Sequence, residues 1–102
     1  MRRVLWAETA LDDFDSIVAY IAEEDPAAAA RVLDRIDATV RALADMPIGR
    51  RGRVGGTYEK VVAGLPFVIA YALGETPAGS GTLNILRITH GARHWPLGGW
   101  PE

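Results

Sequence analysis

The sequence predicts a small two-layer α+β domain, with elements in the order β-α-α-β-β-β and a helix hairpin packed on an antiparallel sheet. Three observations predict it. Apolar residues recur at three- and four-residue steps from Leu11 to Leu43, interrupted once by Asp25-Pro26. The run Phe67–Leu73 carries no charge and no polar alternation, the pattern of a strand covered on both faces. Short turns join that run to extended segments on either side, which favours an antiparallel meander. A chain of 102 residues holds one domain, and at that size folding buries roughly two-thirds of the unfolded surface. The domain is expected to span 1–96, with a tail at 97–102.

Each element has a local cause. Val4-Leu5-Trp6 is a short apolar run that reads as a first strand. Thr9, with Asp12 three residues on, has the spacing of a capping box and is the expected N-cap of the first helix. Leu11, Phe14, Ile17, Val18 and Ile21 share one face of it, and Asp12, Asp13, Asp15 and Glu23 lie on or near the other. Asp25-Pro26 ends that helix and starts the next, because proline disfavours helix before it yet fits a first turn. Ala29, Val32, Leu33, Ile36, Val40 and Leu43 then mark the buried face of the second helix, which Met46-Pro47-Ile48-Gly49 terminates. Helices joined this closely pack as an antiparallel hairpin. Residues 49–56 hold four glycines and three arginines without periodicity and read as a loop. Strands follow at 57–62, 67–73 and 82–89, with a turn at Ala63-Gly64-Leu65-Pro66 and a flexible connection at 74–81.

Composition narrows the functional classes. Cysteine is absent, which excludes disulfides, zinc-thiolate sites and thiol nucleophiles. Net charge is −2, without the basic excess of a dedicated nucleic-acid binder. The charge is uneven: residues 1–45 hold ten acids and five arginines, whereas residues 46–102 hold six basic residues and three acids. Basic surface must therefore come from the second half. Arg2 and Arg3 are followed by Glu8, Asp12, Asp13 and Asp15, leaving no room for a signal-peptide core, and the apolar stretch 61–73 is too short to span a bilayer. A cytoplasmic protein is expected.

Arg50, Arg51 and Arg53 in the glycine-rich stretch are candidates for binding phosphate or an acidic partner, because guanidinium groups pair bidentately with both. The stretch lacks the ending of a Walker loop. His90 and His94 are four apart, but no third ligand stands beside them, so neither a metal nor a cofactor is expected. In a regular strand Leu83, Ile85, Arg87 and Thr89 share one face and Asn84, Leu86, Ile88 and His90 the other, so Arg87 and His90 do not converge unless a bulge intervenes. The same parity separates Glu59 from Lys60. Trp6, Tyr58, Tyr71 and Trp95 read first as packing residues. No catalytic cluster emerges from these spacings.

Taken in order, these residues resemble a known family. Trp6-x-x-x-Ala10-x-x-Asp13-Phe14, Tyr20-Ile21-Ala22 and Asp25-Pro26-x-Ala28-Ala29 are similar to the first half of the RelE/ParE toxin superfamily. Gly49-Arg50, Gly56-Thr57-x-Glu59, Pro66-Phe67-x-Ile69-x-Tyr71 and Ile85-Leu86-Arg87-x-x-His90-x-x-Arg93-x-Trp95-Pro96 continue the match into its ParE-like branch. The resemblance implies a toxin of a type II toxin–antitoxin system, held in a hetero-oligomer by a ParD-like antitoxin that alone touches operator DNA. It implies no membrane partner. ParE-like members block DNA gyrase, and RelE-like members cut mRNA on the ribosome.

RNA cleavage needs a base for the 2′-hydroxyl and cations for the phosphate. RelE-like nucleases place basic residues on the central strands, and the corresponding strand here, Phe67–Leu73, is uncharged. A gyrase inhibitor without catalytic residues is therefore the leading expectation, ahead of a ribosome-dependent endoribonuclease and of a non-toxic antitoxin-binding module. The expected target or antitoxin contacts are Arg50, Arg51, Arg53, Tyr58, Glu59, Arg87, His90, Arg93, His94 and Trp95.

Overall fold

In the computed structural model, residues 2–52 and 55–90 are described. Strand β1 (Arg3–Trp6) leads into α1 (Glu8–Glu24) and α2 (Pro26–Asp45), followed by β2 (Arg50–Arg51), β3 (Tyr58–Val61), β4 (Phe67–Glu75) and β5 (Gly81–His90). The helices break where the sequence breaks. The Asp25 side chain accepts a hydrogen bond from the Ala28 backbone N–H at 3.0 Å, and Pro26 occupies the first turn. Both satisfy or remove donors that a helix start leaves without partners. The predicted tail at 97–102 lies outside the described residues.

The five strands form one sheet in the order β1-β5-β4-β3-β2. The β2–β3, β3–β4 and β4–β5 pairs are antiparallel, as a meander requires. The first strand departs from the expected antiparallel sheet: β1 runs parallel to β5, with Val4 opposite Leu83 and Trp6 opposite Ile85. A parallel neighbour needs a long crossover, and the helix hairpin between β1 and the meander supplies it. The sheet is mixed, and β4 is its centre.

One face of this sheet packs on the helices. Val32, Ile36, Val40 and Leu43 of α2 and Ala10 of α1 share a buried cluster with Phe67, Ile69, Tyr71, Leu83, Ile85 and Ile88. Phe14, Ile17 and Ile21 pack against its margin. Leu11 and Leu33, which share the predicted apolar faces, are exposed. In β4, Val68 and Ala70 alternate with the cluster residues and are buried on the opposite face, so from Phe67 to Tyr71 the uncharged run is covered on both sides as its composition predicts, while Leu73 at its far end is exposed.

The last strand is irregular. Ala70 pairs with Arg87 but Tyr71 pairs with Ile85, which leaves Leu86 as an extra residue. Such a bulge shifts the side-chain parity of everything after it. Ile88 therefore joins Leu83 and Ile85 in the core, and Arg87 does not share their face as a regular strand would require. Because the bulge precedes Arg87, the separation of Arg87 from His90 survives it.

Candidate functional site

Two expected features of the sequence change meaning at the edge of β5. Thr9 is not the N-cap of α1. Ala7 holds that position and offers no side-chain cap. The Thr9 hydroxyl instead donates to the Leu86 carbonyl at 3.0 Å. One turn later, Asp13 faces the sheet rather than the acidic outer surface. Its carboxylate accepts from Arg87 Nε at 2.8 Å, from Arg87 Nη2 at 3.1 Å and from the Ile88 backbone N–H at 3.0 Å. The cause is topological. β1 ends at Trp6, so β5 beyond Ile85 has lost its ladder partner on that side. Residues four apart on α1 meet that bare edge and satisfy it with side chains.

The stretch read as a loop also has structure. Arg50 pairs with Glu59 and Arg51 with Tyr58, so two of its residues extend the sheet as β2. Gly49 makes the approach possible. A Cβ there would lie 2.5 Å from the Tyr71 hydroxyl and 2.7 Å from the Glu59 carbonyl oxygen. Arg50 Nη2 donates to Glu59 Oε1 at 3.2 Å. Glu59 is only 5% exposed, and its Oε2 has no hydrogen-bond partner among the described residues.

Register joins these two places into one row. Arg50 lies opposite Glu59, Glu59 opposite Ala70, and Ala70 opposite Arg87. Residues directly opposite share a face, so Arg50, Glu59, Ala70 and Arg87 form one row across four strands on the side turned away from the helices, with the Arg87 guanidinium reaching back to Asp13 of α1. Each of these two arginines is matched by a carboxylate, Glu59 or Asp13. The row is charge-balanced. Glu59 and Ala70 within it are buried, so what it offers a partner is the exposed Arg50 guanidinium and part of Arg87 rather than a concentrated positive field.

The other candidates lie apart. Tyr58 stacks on Tyr71 with ring centroids 5.6 Å apart, on the helix side of the sheet. His90 is exposed and meets the Phe67 ring edge-on, with centroids 5.7 Å apart. Arg51 is exposed beside Tyr58. Arg53, Arg93, His94 and Trp95 lie outside the described residues. Among the described residues, no group of three or more His, Asp or Glu is arranged to hold a metal ion, and no helix is long and apolar enough to cross a membrane. Asp13 and Thr9 are the residues that sequence reading missed. Their i, i+4 spacing on a helix following a short strand is the signal that marks them.

The titration equilibrium of Tyr71 is displaced. Burial, and then the neighbouring Tyr58, raise its phenol above the ordinary 10.0, and its hydroxyl donates to the Pro47 carbonyl at 3.3 Å. A raised phenol pKa means that the fold holds the neutral form. The associated stability is complete below about pH 10 and is lost as pH rises through the folded-state value. Urea midpoints are expected to fall as pH rises above about 10 in the wild type, and Tyr71→Phe is expected to flatten that alkaline limb.

Comparison with known proteins agrees with this architecture. Residues 4–95 match the family model of the ParE toxin of the parDE type II toxin–antitoxin system. A candidate toxin of Sinorhizobium fredii, Y4kP, is 42% identical over 96 residues, covering 93% of this chain and 94% of its own. Toxin RelE2 of Caulobacter vibrioides is 35% identical over 94 residues, covering 91% of this chain and 99% of its own. A chain from the chromosomal ParDE system of P. aeruginosa has the same fold, with a TM-score of 0.76 at 23% identity, covering 88% of this chain and 96% of that one. The strand order, the helix hairpin and the family match over nearly the whole length lead to one assignment: the chain belongs to the ParE toxin family of type II toxin–antitoxin systems.

Proposed function

We propose that the protein arrests growth by binding DNA gyrase in the cytosol, without covalent chemistry of its own, and that a ParD-like antitoxin neutralises it by occupying its surface in a hetero-oligomer. The carrying observation is the charge-balanced row. Cleaving RNA requires cations held ready for phosphate and for the charge that develops on it. Here Arg87 is engaged by Asp13, Arg50 by Glu59, and β4 between them contributes only the small, buried Ala70. That chemistry suits protein recognition. Arg50, Arg51, Tyr58, Glu59, Arg87 and His90 remain the proposed contacts among the described residues. Arg53, Arg93, His94 and Trp95 complete the proposed set.

A second reading, mRNA cleavage on the ribosome, is favoured by the relative that bears the name RelE2. One experiment separates them. The chain is induced in a bacterial host with and without the neighbouring antitoxin gene, while DNA and protein synthesis are followed separately. The purified protein is also added to gyrase supercoiling reactions. Growth arrest with an early fall in DNA synthesis, persisting translation and inhibited supercoiling is the expected result. Translation collapsing first, with cut mRNA and intact supercoiling, would replace gyrase by the ribosome. Harmless expression would reduce the protein to a binding module.

A further inference from the structure

The chain contains no cysteine and two methionines, Met1 and Met46. Met46 carries the one sulfur among the described residues. It stands at the C-cap of α2. Its backbone N–H donates to the Ala42 carbonyl at 2.9 Å, and its own carbonyl accepts from the Ile48 N–H at 2.7 Å. Those bonds fix the backbone and leave the side chain outside the core: Met46 is 63% exposed and takes no part in the buried cluster. The thioether lines an open cleft of about 410 Å³ beside Ile48 and Val61. Arg35 and Lys60 are the charged residues of the same lining, and Arg35 Nη1 is anchored on the Ala63 carbonyl at 2.9 Å. A small oxidant reaches a sulfur so placed without any opening of the fold, and exposure is what makes a methionine susceptible.

From this placement we propose that Met46 is a reversible oxidation site, and that its modification by hydrogen peroxide lowers the affinity of the chain for its antitoxin. The sulfur lone pair attacks one peroxide oxygen. A sulfur–oxygen bond forms, the oxygen–oxygen bond breaks, and the departing oxygen leaves as water once it has taken up the proton from the transferred one. Sulfur gives up two electrons and the peroxide takes them. The product, methionine sulfoxide, is polar where the thioether was apolar, and dedicated reductases reverse it. A partner that covers Met46 meets a pliable apolar side chain before the reaction and a hydrogen-bond acceptor after it, and burying an acceptor without a donor is costly. Arg35 and Lys60 stand in the same lining as donors for the new oxygen, which stabilises the oxidised chain in its free state. The fold is not drawn in, because an exposed side chain contributes little to the core. Affinity and stability therefore separate, which nonspecific oxidative damage would not allow. The inference rests on the antitoxin reading above: it takes that partner to cover Met46 and adds the chemistry that releases it.

The test uses the full chain and the protein encoded by the antitoxin gene beside its own. Wild type, Met46→Leu and Met46→Gln are compared before hydrogen peroxide, after it, and after repair by methionine sulfoxide reductases acting on both sulfoxide epimers. Peptide mass spectrometry locates the added oxygen. Leucine keeps the volume without an oxidisable atom, and glutamine supplies a polar side chain of similar length without peroxide. Peroxide is expected to weaken antitoxin binding of the wild type by about 10-fold or more. The thermal midpoint of the free chain should move by no more than about 3 °C, and repair should restore the affinity. Met46→Leu should bind like the untreated wild type and ignore peroxide, and Met46→Gln should bind weakly from the start. Undiminished affinity in a wild type whose Met46 is fully oxidised would overturn the proposal and leave the antitoxin reading standing. An equal loss in Met46→Leu would also overturn it, by placing the effect at another residue. A thermal midpoint that falls together with affinity would overturn it by placing the effect in the fold. An untreated wild type that does not bind the antitoxin would overturn the antitoxin reading, and the oxidation switch with it.

Discussion

Replacing Asp13 with alanine is expected to lower folding stability by about 2–4 kcal/mol. In a domain of this size, that moves the thermal midpoint down by on the order of 10–20 °C. The carboxylate accepts three hydrogen bonds, two from the Arg87 guanidinium and one from the Ile88 N–H. Both side chains of the ion pair are less than a third exposed, so water replaces these bonds poorly. The alanine variant removes the carboxylate that holds the Arg87 guanidinium and leaves a strand-edge N–H without its acceptor. Asp13→Asn keeps one acceptor and removes the charge, so its loss should be roughly half as large.

Arg87→Ala should cost a similar amount, and the double variant should cost clearly less than the two singles added. A coupling of at least about 1.5 kcal/mol in that cycle would identify the pair as one unit. The measurement bears on function. If Arg87→Ala loses toxicity and stability together, while a milder destabilising variant retains toxicity at lower temperature, Arg87 acts by holding α1 on β5. If it loses toxicity with its thermal midpoint unmoved, the guanidinium touches the target, and the engagement with Asp13 is not what sets its role.

The same edge shows what a sequence can and cannot specify. The α2 face was legible because Val32, Ile36, Val40 and Leu43 are buried at the spacing that helical geometry imposes. The centrality of β4 was legible because a strand covered on both faces cannot alternate, and Phe67–Tyr71 does not. The parallel β1 was not legible. Four residues with two apolar neighbours do not encode which sheet edge they join. Thr9 misled because a hydroxyl before an acidic turn is the same pattern whether it caps its own helix or serves a strand 77 residues away. Leu86 misled because a bulge has no period: it appears only when Ile88 must return to the core. Of the proposed contacts, register brought Arg50, Glu59 and Arg87 into one row, a relation that needs three strand pairings at once and so cannot be read from spacing along the chain.

Gly49→Ala tests whether that row depends on a close approach of backbone. Glycine here is required by space rather than by a left-handed backbone, since its φ is not positive. An added Cβ would collide with the Tyr71 hydroxyl at 2.5 Å and the Glu59 carbonyl oxygen at 2.7 Å. The first neighbour is buried in the core and the second is backbone of β3, so neither yields cheaply. The expected relief is detachment of β2, which withdraws Arg50 from Glu59. The carboxylate of Glu59 is buried and one of its oxygens is already unpartnered among the described residues, so losing the other contact is costly. A loss of about 2–4 kcal/mol in urea unfolding is expected. Arg50→Ala should lose less, about 1–2 kcal/mol, because the guanidinium is 69% exposed and water screens its half of the pair. Gly55→Ala is the matched control. A Cβ there meets nothing within 4 Å, so stability should change by no more than about 0.5–1 kcal/mol, and upward if at all. Tyr71→Phe added to Gly49→Ala should recover only part of the loss, because it removes the hydroxyl but leaves the Glu59 carbonyl in place. Full recovery would put the strain in the core against Tyr71. No recovery would put it in the β2–β3 ladder, where detaching Arg50 also dismantles the charge balance on which the protein-binding reading of this face rests.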